Sequence, residues 1–116
     1  MQIHISPRNI RLTGSIHSYV ADKIGNLEHF SPELIGAHVA IWHNDSHGLR
    51  HEFIIKAHLA LPGPDLHAED RNLDLYLAID AVANKLEEQL RHRKSRLISK
   101  RRTEGRKIKV RALAEP

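Results

Sequence analysis

Lys and Arg, the residue types best suited to binding phosphate groups, are concentrated near the end of this 116-residue chain. Eleven of the eighteen lie between Arg91 and Arg111, where Glu104 is the single acid. Residues 1–90 have seven Lys and Arg against twelve Asp and Glu, a net charge of −5, whereas residues 91–111 have a net charge of +10. Because each cation that neutralises a phosphate releases condensed counterions, this asymmetry predicts a polyanionic partner. Nucleic acid is the first candidate and an anionic membrane surface the second.

The spacing of apolar residues predicts a helix that positions these cations. Its apolar stripe consists of Leu75, Ile79, Val82, Leu86 and Leu90. Arg93 interrupts the stripe, so we expect the helix to outlast the core and project into solvent. At about 100° per residue, one sector beside the stripe holds Lys85, Gln89, His92 and Arg96, and the opposite flank and back hold Arg91, Lys94, Arg101 and Arg102. We predict a folded domain over residues 1–102 and a flexible basic tail over residues 103–116.

The rest of the chain predicts a four-stranded sheet and one more helix. Alternating apolar residues indicate the strands, and Pro7 is expected to end the first of them. The predicted elements are a strand over 2–6, a helix from Thr13 or Ser15 to about Phe30, strands over 37–43, 51–61 and 66–68, and the final helix, with Asn72 as N-cap and Asp74 in its first turn. The order β-α-β-β-β-α predicts an α+β fold: a right-handed β-α-β unit, then an antiparallel meander, with both helices on one face of the sheet.

Four of the ten histidines would project from the open face of this sheet, one from each strand: His4, His38, His58 and His67. Such a ladder leaves two interpretations, a zinc or copper site and a polar sheet surface that happens to use histidine. Metal ligation also needs suitable geometry and supporting hydrogen bonds, so the second interpretation is favoured and we predict neither a metal nor a cofactor. Trp42, on the same face, fits shielding of the sheet better than base stacking, since no row of aromatic residues accompanies it.

Several classes of protein are disfavoured by what the sequence lacks. It has no cysteine, which excludes disulfides, thiolate zinc sites and a cysteine nucleophile. No apolar run approaches the roughly 18–20 residues that cross a bilayer, and the first residues do not resemble a signal peptide, so we expect a cytoplasmic protein without a membrane partner. No glycine-rich phosphate loop, HExxH motif, nucleophile elbow or convincing carboxylate pair is present, so we expect neither an enzyme nor a small-molecule substrate.

Two stretches of the final helix resemble a known family. Asp74-Leu75-Tyr76-Leu77-Ala78-Ile79-Asp80 and Lys85-Leu86-Glu87-Glu88-Gln89-Leu90 resemble the last helix of the ribosome hibernation-promoting factor family, also called ribosome-associated inhibitor, protein Y or sigma-54 modulation protein. Residues 1–6 resemble that family's first strand, Tyr19-Val20 with Lys23-Ile24 and Leu27-Glu28 its first helix, and Leu66-His67-Ala68 its fourth strand. The likeness covers roughly residues 1–96 in the same order and spacing.

The resemblance implies a non-enzymatic, short-form member whose fold is similar to double-stranded-RNA-binding domains. It implies binding to the 30S subunit or the 70S ribosome, contacts with 16S rRNA in the channel for mRNA and tRNA, and inhibition of translation during stress or stationary phase. It places RNA contacts on basic residues of both helices. With the neighbouring basic side chains included, the predicted RNA-binding residues are Lys23, Lys85, Gln89, Arg91, His92, Arg93, Lys94, Arg96, Lys100, Arg101 and Arg102.

The sequence also departs from the family pattern. Pro7 stands where a glycine is common, and the first helix is poor in Lys and Arg. Nothing in this sequence corresponds to the second domain through which long members pair ribosomes, so we expect any ribosome pairing to need another factor. We also expect a monomer off the ribosome. Three alternatives stay open: a general RNA-binding module without ribosome preference, a metal-binding or hydrolytic protein that uses the sheet histidines, and a regulator of transcription.

Overall fold

A computed structural model describes the backbone of residues 1–44 and 52–114 and the side chains of residues 1–44 and 52–96. The elements follow the order predicted from the sequence. They are β1 (Gln2–Arg8), α1 (Gly14–Gly25), a 3-10 turn (Asn26–His29), β2 (Gly36–Asn44), β3 (Glu52–Ala60), β4 (Leu66–Asn72) and α2 (Leu75–Ala114).

The four strands form one mixed sheet in the order β1-β2-β3-β4. β1 pairs with β2 in parallel, and the other two neighbouring pairs are antiparallel. α1 lies in the connection between the parallel strands, where a crossover is required. The predicted α+β fold and the antiparallel meander of the last three strands are therefore confirmed.

The core lies between the sheet and the two helices, and alternate residues of the central strands fill it. Val39, Ile41, Ile55 and Leu59 are at most 1% exposed. The buried residues of the helices belong to the same cluster: Ile16, Val20 and Ile24 of α1, and Leu75, Ala78, Ile79, Val82, Ala83, Leu86 and Leu90 of α2. The predicted stripe of the final helix is therefore the surface that anchors α2 to the sheet.

The first helix is shorter than predicted. Thr13 is its N-cap, since Thr13 Oγ1 accepts a hydrogen bond of 3.2 Å from the N–H of Ile16. The α-helix ends at Gly25, and the 3-10 turn takes the chain to His29, where we had expected helix to about Phe30. Glycine disfavours the interior of an α-helix because of its backbone entropy, which fits the change of geometry at this residue. Leu27 still reaches the core from the turn.

Two strands are longer than predicted, and both lie at the edges of the sheet. β1 continues through Pro7 to Arg8, because an edge strand tolerates a residue that cannot donate a backbone hydrogen bond. β4 continues past Ala68 to Asn72, and its polar end stays paired with β3. The end of this strand has no clear apolar pattern in the sequence, because the strand borders solvent at one edge and on one face. The predicted start of the third strand at His51 lies outside the described residues.

The N-cap of α2 lies two positions after the predicted one. Asp74 caps the helix, because its Oδ1 accepts from the N–H groups of Tyr76 at 2.9 Å and Leu77 at 3.2 Å. Asn72, predicted as the N-cap, accepts from the N–H of Asp74 at 2.9 Å and therefore stabilises the turn before the helix. A carboxylate at the cap also interacts favourably with the helix dipole.

α2 is continuous from Leu75 to Ala114 and includes most of the segment predicted as a tail. The side chains of Lys100, Arg101 and Arg102 lie outside the described ones. The division into a domain over 1–102 and a flexible tail over 103–116 stays a prediction.

Candidate nucleic-acid interface

The first predicted RNA-binding residues of α2 also hold the helix to the edge of the sheet. Lys85 Nζ donates to the backbone oxygen of Glu69 at 2.8 Å and lies 3.8 Å from an Asp70 carboxylate oxygen. One turn later, Gln89 Nε2 donates to the backbone oxygen of His67 at 2.8 Å. Both side chains therefore stabilise the contact between α2 and β4, which leaves them less free to bind an external phosphate.

Arg93 closes the end of the core. Its side chain is only 21% exposed, and one guanidinium nitrogen donates to the backbone oxygen of Pro62 at 2.8 Å. A second guanidinium nitrogen lies 3.5 Å from the Glu33 carboxylate. Arg93, which interrupts the apolar stripe, therefore connects α2 to the turn that contains Pro62 and to the loop that contains Glu33. RNA binding by Arg93 stays a prediction, in addition to this structural role.

Four cationic or titratable side chains beyond Leu90 point into solvent, and we call them the exposed basic surface: Arg91, His92, Lys94 and Arg96. Arg91 pairs with Glu87 at 2.8 Å and lies 5.1 Å from the centroid of the Phe30 ring. His92 lies 3.7 Å from Glu88. Within residues 1–44 and 52–96, no carboxylate pairs with Lys94 or Arg96. The helix therefore presents uncompensated positive charge where it leaves the core.

Lys23, predicted from the resemblance, belongs to a different cluster. Its Nζ lies 3.5 Å from Asp80 and 5.6 Å from the centroid of the Tyr19 ring. The hydroxyl of Tyr19 donates to the same Asp80 carboxylate at 2.6 Å, and this hydrogen bond raises the pKa of Tyr19 above its usual 10.0. Asp80 precedes Arg91 by eleven residues, about 16 Å along a helix. The structure thus separates Lys23 from the exposed basic surface.

No sequence pattern predicts the groove that lies between α2 and the turn that joins β3 to β4. The groove has a volume of ≈ 680 Å³ and is lined by Pro62, Gly63, Pro64, Leu66, Gln89, His92, Arg93 and Arg96. Gly63 has φ of 90°, a conformation that favours glycine and allows the sharp turn. The proximity of this turn to α2 depends on tertiary packing and leaves no local signal in the sequence.

The histidine ladder predicted for the open face of the sheet is confirmed. His4 pairs with His38, His38 with His58, and His58 with His67, so one histidine of each strand stands in a single row. The ring centroids are 5.1 Å apart in the first pair and 4.3 Å apart in the last. Among the residues that the structure describes, no three His, Asp or Glu side chains converge on a point suited to a metal ion.

Hydrogen bonds fix two histidines of this row. His58 Nε2 lies 2.7 Å from Asp65 Oδ2, and this contact, with the N–H of Leu61, lowers the pKa of Asp65 below its usual 3.8. His38 Nε2 lies 2.8 Å from Ser6 Oγ. Trp42, also on this face, is half-buried, and Lys56 Nζ lies 5.2 Å from the centroid of its ring. The Lys56 ammonium over the half-buried indole agrees with shielding of the sheet.

The family model described as "Sigma 54 modulation protein / S30EA ribosomal protein" matches residues 3–98. The chain belongs to this family. Two curated relatives are each 34% identical to it over 107 residues, and both are called ribosome hibernation promotion factor. The protein from Deinococcus radiodurans is matched over 91% of this chain and 56% of its own length, and that from Staphylococcus aureus over 90% and 54%. The chain thus spans about half the length of these relatives.

Two solved structures share the fold of this chain. A ribosomal subunit interface protein from Coxiella burnetii superposes with a TM-score of 0.73 at 22% identity and covers 82% of this chain and 99% of its own. The N-terminal domain of Thermus thermophilus Protein Y superposes with a TM-score of 0.69 at 28% identity and covers 79% and 98%. No described helix has the length and apolar character needed to cross a membrane.

Proposed function

We propose that this protein is a ribosome hibernation factor that binds the 30S subunit, alone or in the 70S ribosome. The observation that carries the proposal is its family membership, together with two relatives named as ribosome hibernation promotion factors. The exposed basic surface at the end of the anchored part of α2 supports a phosphate-rich partner. Arg91, Lys94 and Arg96 have the chemistry for contacts with 16S rRNA phosphates.

Inhibition in this proposal requires no covalent chemistry. A folded body held to rRNA through its cations occupies the channel for mRNA and tRNA, and translation stops by steric exclusion during stress or stationary phase. Lys23 and the residues Lys100, Arg101 and Arg102 are further candidate contacts. The protein acts in the cytoplasm, as a monomer until it meets the ribosome.

Charge reversal on the exposed basic surface tests this proposal. We expect Arg91→Glu, Lys94→Glu and Arg96→Glu together to lower affinity for 30S and 70S particles by at least about tenfold and to flatten its salt dependence by up to about three units of slope. The measurement is co-sedimentation with ribosomes at several salt concentrations. A control with the same change of net charge reverses Arg8, Arg11 and Lys56, which are exposed and lie elsewhere. Equal binding by both triple variants would exclude the exposed basic surface as the contact.

A general RNA-binding module is the second candidate, and one observation favours it. The exposed basic surface consists of side chains that recognise phosphate, and phosphate contacts have no base specificity. In that case the protein would bind an unrelated RNA duplex as tightly as it binds 30S subunits. A competition experiment between ribosomes and that duplex separates the two candidates. A hibernation factor stays bound to ribosomes when the duplex is in excess.

A further inference from the structure

Hydrogen bonds from α2 connect the two walls of the groove between α2 and the β3–β4 turn. Arg93 donates to the backbone oxygen of Pro62, and Gln89 donates to that of His67, each at 2.8 Å. Asp65 Oδ1 also accepts from the N–H of Leu61 at 3.2 Å, which fixes the base of the turn. A cavity formed by such restrained walls needs little rearrangement to accept a ligand.

The two walls of the groove differ in chemistry. The turn and the start of β4 contribute the apolar surfaces of Pro62, Pro64 and Leu66, whereas α2 contributes the polar ends of His92 and Arg96. No carboxylate lines the groove, within the part of the chain whose side chains are described. Its volume, ≈ 680 Å³, falls in the range of about 300–1,000 Å³ that is usual for small-molecule sites. A ligand that suits both walls has a flat apolar ring and a negative charge.

We infer that this groove binds one unpaired nucleotide of an RNA strand. The base packs against Pro62 and Pro64, and its phosphate is bound by Arg96 and His92. A base inside a duplex is stacked and paired, so it cannot enter, whereas an unstacked base in a loop or bulge can. The inference rests on the proposed function, since it names the part of rRNA that the exposed basic surface would recognise: an unpaired segment beside a phosphate-rich one.

Arg96 and Arg91 provide a matched pair of variants. Both are exposed arginines of α2, but Arg96 lines the groove, whereas Arg91 lies against Phe30 and Glu87. The probes are a single-stranded oligouridine and a blunt RNA duplex with the same number of phosphates, measured by fluorescence anisotropy. We expect Arg96→Gln to lower affinity for the single strand about tenfold and for the duplex only slightly. Arg91→Gln should weaken both probes by the same small factor.

A second measurement follows the groove itself. Uridine 5′-monophosphate at millimolar concentration should shift the backbone amide signals of Gly63 and Leu66 in the 15N spectrum of the wild-type protein. Pro64→Glu, which places a carboxylate on the apolar wall, should abolish these shifts. Circular dichroism confirms that this variant is folded. Amide shifts that spread evenly along α2 and leave the turn unchanged would overturn the inference.

The outcomes separate this inference from the proposed function. If ribosome binding depends on the exposed basic surface but Arg96→Gln and Arg91→Gln weaken both RNA probes equally, the groove is not a nucleotide site and the proposed function stands. If Arg96→Gln weakens ribosome binding without affecting either probe, the groove contacts an acidic protein segment and the inference is wrong. If the single-strand effect is present but the protein does not sediment with ribosomes, the groove binds RNA and the ribosome proposal fails.

Discussion

The two parts of α2 share one continuous backbone and differ in what their side chains contact. From Leu75 to Leu90 the helix has an apolar stripe that is buried against the sheet, and Lys85 and Gln89 bond to the backbone of β4. From Arg91 to Arg96, Arg93 is hydrogen-bonded to the body and Arg91 lies over the ring of Phe30, but every side chain except that of Arg93 is exposed. We call these the anchored part and the projecting part. Fold stability and the presentation of positive charge are therefore separated along one helix.

The strongest test of this separation is the removal of packing in the anchored part. We expect Leu86→Ala to lower the free energy of unfolding by about 2–5 kcal/mol, because Leu86 is fully buried and its loss leaves a cavity. Urea denaturation followed by circular dichroism gives the value. Ser95→Ala, in the projecting part, is the matched control and should change stability by less than about 0.5 kcal/mol. Similar losses in both variants would show that the projecting part is also packed.

Loss of the N-cap tests the start of the anchored part. Asp74→Ala removes the acceptor for two backbone N–H groups and should cost about 1 kcal/mol of unfolding free energy. Glu88→Ala, which removes an exposed acid from the same helix, controls for the change of charge. Thermal unfolding compares the two. An equal decrease in melting temperature would mean that charge, and not the capping geometry, matters at Asp74.

A variant of the projecting part should lose ribosome affinity and keep its stability. Arg91→Ala removes an exposed ion pair with Glu87 and a contact with Phe30, together worth less than about 1 kcal/mol of stability. We expect its ribosome affinity to fall while its urea midpoint hardly moves. A large loss of stability without loss of affinity would reverse the roles that we assign to the two parts.

The smallest expected effect concerns the contact between α1 and the anchored part. The hydrogen bond from Tyr19 to Asp80 raises the pKa of the Tyr19 phenol, so the native state binds this proton more tightly than the unfolded state does. Its contribution to stability is full below pH 10.0 and is lost as the pH rises through the native pKa. In a Tyr76→Phe background, absorbance at about 295 nm should give a midpoint above 10.0. A midpoint that is the same in Asp80→Asn would exclude Asp80 as the cause.

Much of the fold was predictable because its signals are local. The apolar residues of the final helix recur with a period of 3.6 residues, and those of β2 and β3 alternate with a period of two. In each element these apolar residues face the core, so the pattern reports burial directly. The sequence pattern did not predict the full length of the two edge strands, which solvent reaches. The end of β4 is polar, and β1 contains Pro7. The choice between Asn72 and Asp74 failed because two acceptors, two residues apart, both accept from backbone N–H groups there.

The candidate site was less predictable than the fold. Charge counting located Arg91, Lys94 and Arg96, and the structure leaves them exposed. Charge counting could not distinguish these residues from Arg93, because only the position of the Pro62 backbone oxygen shows that the Arg93 guanidinium is hydrogen-bonded. The groove depends on the same long-range contact. The histidine row was inferred from alternation, and its alignment across all four strands required the register.

The sheet is open, and its two outer strands bear on how the protein behaves at high concentration. An unpaired strand edge is a template for another chain, and edge-to-edge addition leads to aggregation. Pro7 in β1 cannot donate a hydrogen bond to an incoming strand, and Glu69, Asp70 and Arg71 place charges along β4. Both edges therefore resist strand addition, so the same residues that obscured the ends of these strands in the sequence protect the protein from polymerising.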